Sequence, residues 1–459
     1  MKKRALLGEY ASADLGDDRL RARMLQLVES VSDDPRASLP GALGDGAALE
    51  GAYRFLGNAS VSPDAILAPH QEETARRCRE LGDVVVAHDT TDFAFPGEKR
   101  RGLGRLRGTK ERGFLSHVAL AVSWDESRDP LGILAHEWWA RHGRKKVKKT
   151  PRQQQMDPSR ESQRWHRSVE NVCRLVDARH VIHVMDREAD AYDLMAAMVS
   201  RGERFVIRAT FDRCVAGTDE RMSDSLAPRP VVVTREVPLS ARKGSPLPKQ
   251  RKIQPPRTAR VARLGIKAAA IVLDRPKHAP PDLPRSLAVN LVAVEEIDPP
   301  TGEPPVRWWL FTTEPIETPA DLERVVDAYR CRWRIEEYFK ALKTGCAIEK
   351  RQLETLSSLT NLLAIYMPIA WRVLRHRTLA HVRGDEPASS VLSALQIRLL
   401  RHKSRTTLPR RPTVKEALAA VAAMGGHLKR NGRPGWITLS RGYERLLAME
   451  EGALLVLEK

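Results

Sequence analysis

The stretch VIHVMDREADAYDLMAAMVSRGERFVIRAT, Val181 to Thr210, decides how the chain is read. It opens on a short apolar run with β-branched residues, VIHVM, the composition of a buried strand. That run stops at Asp186. DAYDLMAAMVSRG then reads as a helix, and ERFVIRAT as the next strand. A strand, an acid at its end, a helix and a strand again give an α/β chain with a carboxylate where strands present functional groups.

Working outward, a second run of the same kind, DVVVAHDTTDFAF from Asp83, carries Asp89 after its apolar half. HVALAVSWD and LGILAHEWWAR follow as a meander, with turn residues between them. Upstream, residues 1–70 read as a helical unit. Asp14 or Asp17 caps a helix whose stripe is Leu20, Met24, Leu27, Val28 and Val31, with Arg19 and Arg21 mainly off the stripe. These short helices suit a helix-turn-helix-like DNA reader and a plain helical cap alike. Downstream, residues 212–312 alternate β-rich stretches with Pro-rich and basic connectors, a β-subdomain inserted before the last long helix of the core. The division expected is therefore 1–70 helical and DNA-binding, 71–372 core with the β-rich insertion at about 212–312, and 373–459 helical.

Composition narrows the partner. The 459 residues carry 77 Lys+Arg against 58 Asp+Glu, a formal charge of +19. Such a balance favours a polyanion, most often nucleic acid. The lysines of the 141–153 loop (Lys145, Lys146, Lys148, Lys149) read as a solvated run or as phosphate contacts. Five scattered cysteines without a C-x-x-C pair suit a reducing compartment. With no signal-peptide core and no membrane-length apolar run, the expectation is a cytoplasmic protein. His88, His117 and His136 make no clustered zinc set and read as core or supporting residues.

A third acid completes the pattern. In YRCRWRIEEYFKALKTG (329–345), Tyr329, Arg332, Glu336, Lys340 and Lys343 follow one another at helical spacing. At about 100° per residue they fill one stripe roughly 80° wide. Ala328, Ile335, Phe339 and Leu342 form the apolar stripe beside it. An ordinary solvated face with Glu–Lys pairs has the same spacing. What favours chemistry is the mixture of a metal-binding group with phosphate-binding groups, and the two strand-borne acids elsewhere. Magnesium takes a few hard oxygens and keeps several waters, so Asp89, Asp186 and Glu336 suffice with substrate phosphates.

The run Y-x2-R-x3-E-x6-K (Tyr329, Arg332, Glu336, Lys343), with DREAD at 186–190, resembles one branch of bacterial DDE transposases of cut-and-paste insertion sequences. DTT at 89–91, EGAYRF at 50–55, HEWW at 136–139 and a terminal MGGH…GW…GYERL extend the likeness over nearly the whole chain. The resemblance implies an RNase H-like catalytic core flanked by helical domains. Asp89, Asp186 and Glu336 would be its catalytic, metal-binding triad for two Mg2+ (or Mn2+) ions. It also implies a homodimer, with the C-terminal domain in dimerisation, that synapses double-stranded transposon ends before joining them to target DNA, in a bacterial, nucleoid-associated setting. The resemblance implies that water frees a 3′-hydroxyl, which forms a hairpin that is reopened before strand transfer. Tyr329, Arg332 and Lys343 match positions that hold the DNA end and its flipped base, with Lys340 on the same stripe. Trp308 matches the stacking tryptophan, and Arg208 a basic residue of the site. Of Trp308 and Trp309, one is expected in the core. Asp92, Glu188 and Asp190 are expected to support the site by hydrogen bonds. The alternative is a catalytically silent DNA-binding relic or regulator.

Overall fold

The computed structural model describes residues 6–457 except 98–99, 143–149, 151–152, 154–156, 158–159, 240, 243, 245–254, 278, 383, 404–407 and 429–435. The four lysines of the basic loop lie outside the described residues. The chain is mixed α/β and forms two compact units. One comprises Met1–Lys146, Glu170–Val176 and Trp333–Lys459, the other Val147–Val169 and Asp177–Arg332.

The first unit begins with helices α1 (Asp18–Asp33), α2 (Leu39–Leu43), α3 (Gly46–Leu56) and α4 (Pro63–Leu81). Each has a side-chain N-cap, in order Asp17, Ser38, Asp45 and Ser62, which satisfies an otherwise orphaned backbone N–H. Asp17 rather than Asp14 caps α1, and Met24, Leu27, Val28 and Val31 are buried as the stripe requires. Strands β1 (Val84–Phe95), β2 (Gly104–Arg105), β3 (Arg112–Ser123) and β4 (Pro130–Trp139) follow. β3 pairs antiparallel with β1, β2 and β4. Gly132 in β4 has φ +144°, and a Cβ there would strike the Thr74 side chain, so Thr74 of α4 occupies the space that a side chain at 132 would need.

Later in the chain the same unit contains α9 (Trp333–Lys340), α10 (Leu356–Val382), α11 (Ala394–Lys403), α12 (Val414–Met424) and α13 (Trp436–Leu457). From Leu359 to Trp371, α10 is buried on every side. The Asn361 side-chain amide donates to the carbonyls of Leu56 and Val61, 3.0 and 3.2 Å away, and the Trp371 indole donates to Pro130 at 2.7 Å. The N-terminal helices and the β1–β4 sheet are thus both tied to α10. Leu400, Val414, Leu418, Val421 and Leu446 form an apolar cluster among the C-terminal helices. Among the described residues, no helix is long and apolar enough to cross a membrane.

The second unit holds β5 (Val181–Met185), α6 (Tyr192–Ser200), β6 (Arg204–Arg208), α7 (Met222–Leu226), β7 (Val233–Leu239), β8 (Arg260–Asp274), β9 (Ser286–Ile297), β10 (Arg307–Thr312) and α8 (Pro319–Cys331). It also holds the start of α5 (Arg164–Leu175), which crosses between the two units in sequence. β5 and β6 are parallel, joined through α6, as the opening stretch requires. From β6 the sheet continues antiparallel through β10, β9, β8 and β7. The strands of the 212–312 stretch therefore extend the sheet that begins with β5 and β6.

β1 runs past Asp89, as the whole DVVVAHDTTDFAF stretch requires: the buried run Val84–His88 ends there, and pairing with β3 continues to Phe95 opposite Arg112. One reading of local structure needs correction: the long helix expected over about 320–344 is not continuous. α8 ends at Cys331, Arg332 makes a turn with its N–H on the Tyr329 carbonyl at 3.1 Å, and α9 starts at Trp333. A π-helical turn, Ala341–Gly345, then closes with Cys346 N–H on the Ala341 carbonyl at 2.8 Å. A single straight stripe from Tyr329 to Lys343 does not survive these two changes of winding.

Candidate active site

The acids fall on both units: Asp89 and Glu336 on the first, Asp186 on the second. In the first unit, α9 packs on β1 and β3, and its Ile335 and Phe339, like Leu342 in the turn beyond it, are buried. The helix carrying Glu336 therefore lies against the strand carrying Asp89. Asp89 is half-buried, opposite Val118, and its Oδ1 accepts the Thr90 N–H at 2.7 Å. Thr90 in turn bonds His117 Nδ1 at 2.9 Å, and the His117 ring stacks on His88 at 6.0 Å. His88 and His117 are buried supports of this strand; His136 bonds Ser116 at 3.0 Å, and burial lowers its pKa to about 4.

Lys343 and Lys340 have different settings. Lys343 Nζ lies 3.3 Å from Asp92 Oδ1 and 3.8 Å from Glu349 Oε1. Glu349 also takes the Ala94 N–H at 2.9 Å, so the π-helical turn and the segment after it hold the outer half of β1. Lys340 is exposed, with its ammonium 5.7 Å from the ring centre of Trp333, a tryptophan 56% exposed. Trp333 is an aromatic that spacing arguments passed over, because in YRCRWRIEE it sits between the residues of the motif.

In the second unit, Asp186 directly follows β5 and accepts the Glu188 N–H at 2.9 Å, capping a 3-10 turn over Arg187–Ala189. The flanking acids support that turn. Glu188 pairs with the buried Arg164 at 2.5 Å. Asp190, itself buried, accepts the N–H groups of Thr210 and Phe211 and the Arg213 guanidinium.

Around Asp186 stand the cations and aromatics. Arg208 ends β6 opposite Leu310 of β10 and donates to the Arg307 carbonyl at 3.2 Å. Trp308, two residues before Leu310, lies 5.9 Å from Tyr329 of α8, ring centre to ring centre. The Arg332 guanidinium lies 6.0 Å from the same Tyr329 ring. Neither tryptophan is core: both are half-buried, and Trp309 donates to Glu295 at 3.3 Å beneath Arg307. Tyr329 is the buried member, 6% exposed.

Arg187 belongs to this group, although only its place inside DREAD pointed to it. Its side chain is exposed, and burial of its surroundings together with the charge of Arg208 pushes its pKa down, against Tyr329 and Asp186. Guanidiniums of this kind, set beside a carboxylate, are the groups that bind phosphate oxygens in pairs.

Among the described residues, no group of three or more His, Cys, Asp or Glu stands ready to hold a metal ion. All five cysteines are free, three of them buried.

Residues 3–61 match the transposase DNA-binding family, and residues 136–370 match the transposase DDE domain. The second match includes Asp186 and Glu336 and begins beyond Asp89. Among solved structures, the piggyBac transposase synaptic complex with hairpin DNA, determined by cryo-EM, aligns with a TM-score of 0.40 and 8% identity. The alignment covers 99% of this chain and 82% of that one. A likeness so distant carries no weight for function.

Proposed function

The chain belongs to the transposase DDE-domain family, and we propose that it moves a cut-and-paste element by metal-dependent cleavage, hairpin formation and strand transfer. What supports this most is the grouping in one unit of Asp186 with Arg187, Arg208, Trp308, Tyr329 and Arg332. An acid among guanidiniums and rings suits the phosphates and bases of a DNA end.

In this reading residues 71–372 form an RNase H-like core with a β-rich insertion at 212–312. Residues 1–70 bind the transposon end, and residues 373–459 join two protomers in the synaptic dimer. Asp89, Asp186 and Glu336 would hold Mg2+ or Mn2+. Their donors fit: three carboxylates, two of them each engaged by a neighbouring backbone N–H, are hard oxygen ligands. So few protein ligands leave positions for waters and DNA phosphates, so the site is completed by substrate. When bound, two ions would activate the attacking oxygen and stabilise the leaving one.

The chain's own residues do the rest. Arg187, Arg208 and Arg332 hold phosphates, the planar guanidinium donating to two oxygens at once. Lys343 steadies the outer part of β1 through Asp92, and Lys340 with Trp333 offers a cation and an exposed ring to DNA. Trp308, backed by Tyr329, presents a half-exposed ring on which an extruded base stacks. Water first attacks the phosphorus at the element end and gives up a proton; the bond to the 3′-oxygen breaks, and that oxygen takes up a proton, leaving a 3′-hydroxyl and a 5′-phosphate. The freed 3′-hydroxyl then displaces a bridging oxygen of the opposite strand, and hydrolysis of that hairpin restores the 3′-hydroxyl that attacks target DNA.

The test incubates the full chain with DNA bordering its gene and Mg2+. The expected result is cleavage at defined ends, lost by at least about 10³-fold in Asp186→Ala and Glu336→Ala with binding retained. Binding without cleavage by the wild type would identify a silent DNA-binding relic instead.

A further inference from the structure

We propose that Phe211 is a second aromatic contact for the DNA end, stacking on an unpaired base beside the phosphates held by Arg187 and Arg208 next to Asp186. The proposal rests on the transposase reading and adds to it a residue outside the family motifs quoted above.

The observation is a contrast between a tethered backbone and a presented ring. Phe211 lies in the segment after β6 and is 60% exposed. Its N–H and that of Thr210 both bond the Asp190 carboxylate, at 3.1 and 2.6 Å. The other oxygen of Asp190 receives Arg213 Nε at 3.1 Å and Nη2 at 2.5 Å. Ahead of the pair, Ala209 N–H bonds the Trp309 carbonyl at 2.8 Å. Behind it, Asp212 takes the Ser223 hydroxyl at 2.7 Å, and its carbonyl accepts Arg221 at 2.7 Å. A stretch held at each of these residues has given up its conformational freedom, yet the large apolar side chain at its centre is left in water.

Exposure of one apolar ring is unremarkable on a mobile loop. On a segment anchored by a buried carboxylate, it is a group presented in a set direction. The segment is also tied to the residue that follows the acid, since Thr210 Oγ1 donates to the Arg187 carbonyl at 2.9 Å. The surroundings select the ligand. The Arg213 guanidinium lies 5.7 Å from the ring centre, and Arg187 and Arg221 are exposed nearby in the sequence and fold. A ring set among guanidiniums suits a base whose own phosphates the cations take, and stacking tolerates any base because every base has a π-face.

The probe is duplex DNA bordering the gene, carrying 5-iodouracil at successive positions of an unpaired end, irradiated in complex with the full chain. The expected result is a photo-crosslink mapped by mass spectrometry to Phe211. Phe211→Ala should lose that crosslink and cleave about ten-fold more slowly, with duplex affinity within about two-fold of wild type and an unchanged melting temperature. Phe211→Trp should restore both crosslink and cleavage, which a merely structural role would not require. Wild-type cleavage that is equal in Phe211→Ala, with crosslinks only elsewhere, overturns this inference and leaves the transposase reading standing. A wild type that neither binds nor cuts the DNA overturns both.

Discussion

Trp308 packs against Tyr329 with ring centres 5.9 Å apart and planes inclined by 54°, joining strand β10 to helix α8 beside the Asp186 turn. The tyrosine is buried and the tryptophan half-buried, so one ring is the support and the other the surface. Such aromatic pairs contribute about 0.5–1.5 kcal/mol beyond the area they bury. Trp308→Phe should keep the pair and most activity. Trp308→Ala should lower stability by about 1 to 2 kcal/mol in denaturant titration and reduce cleavage by more than it reduces binding. Equal losses in binding and cleavage would show that Trp308 acts only through packing.

Acid should unfold the first unit through a buried network. Glu9 accepts Arg77 at 2.7 Å and His70 Nδ1 at 2.6 Å, while His70 Nε2 accepts the Ile133 N–H at 3.1 Å. His70 is therefore neutral with its proton on Nδ1, and burial lowers its pKa below 6.5 despite Glu9. Burial pushes Glu9 up, but the bonds from His70 and Arg77 outweigh it and hold the carboxyl near 2 against an ordinary 4.5. Both shifts are downward, so both contributions are complete above the unfolded values and shrink as pH falls through the folded ones. Thermal melts from pH 8 to pH 3 should show stability falling once pH passes below about 6.5, where buried histidines begin to favour the unfolded chain. His136, with a folded pKa of about 4, adds to the same trend. Glu9→Gln should cost about 3 to 5 kcal/mol at pH 7, because it leaves Arg77 without its partner charge. A flat melting temperature over that range would contradict the assignment.

Salt should govern DNA affinity. The +19 charge and the guanidiniums around Asp186 imply several neutralised phosphates. If six or more are contacted, affinity should fall by about 10³-fold or more between 50 and 200 mM salt. A slope near zero in a binding titration would mean that the basic residues do not face the DNA.

The strands were legible because their residues announce themselves. VVVAH, VALAV and VIHVM are apolar and β-branched, and they are buried strands. The first N-cap was legible in the same way, to within the choice between Asp14 and Asp17, whereas Ser38, Asp45 and Ser62 became caps only in the structure. The break at Arg332 was not legible: YRCRWRIEE contains neither Pro nor Gly, and the turn there rests on a backbone bond to Tyr329 that no residue type announces. The π-helical turn also escaped notice, since helical spacing assumes constant winding. Hence Lys340 and Lys343, expected side by side, have separate partners. Arg187 and Phe211 escaped for another reason, because what marks them out is the set of bonds made by Asp190 and Thr210 after folding.

The proposed binding of metal by Asp89, Asp186 and Glu336 is tested by replacing Mg2+ with Fe2+ in the DNA complex and generating hydroxyl radicals, which cut the backbone beside the bound ion. Cuts are expected near residues 89, 186 and 336 together, all suppressed by excess Mg2+ and all lost in Asp186→Ala. Cuts near only one or two of the three acids, or cuts that persist in Asp186→Ala, would contradict it.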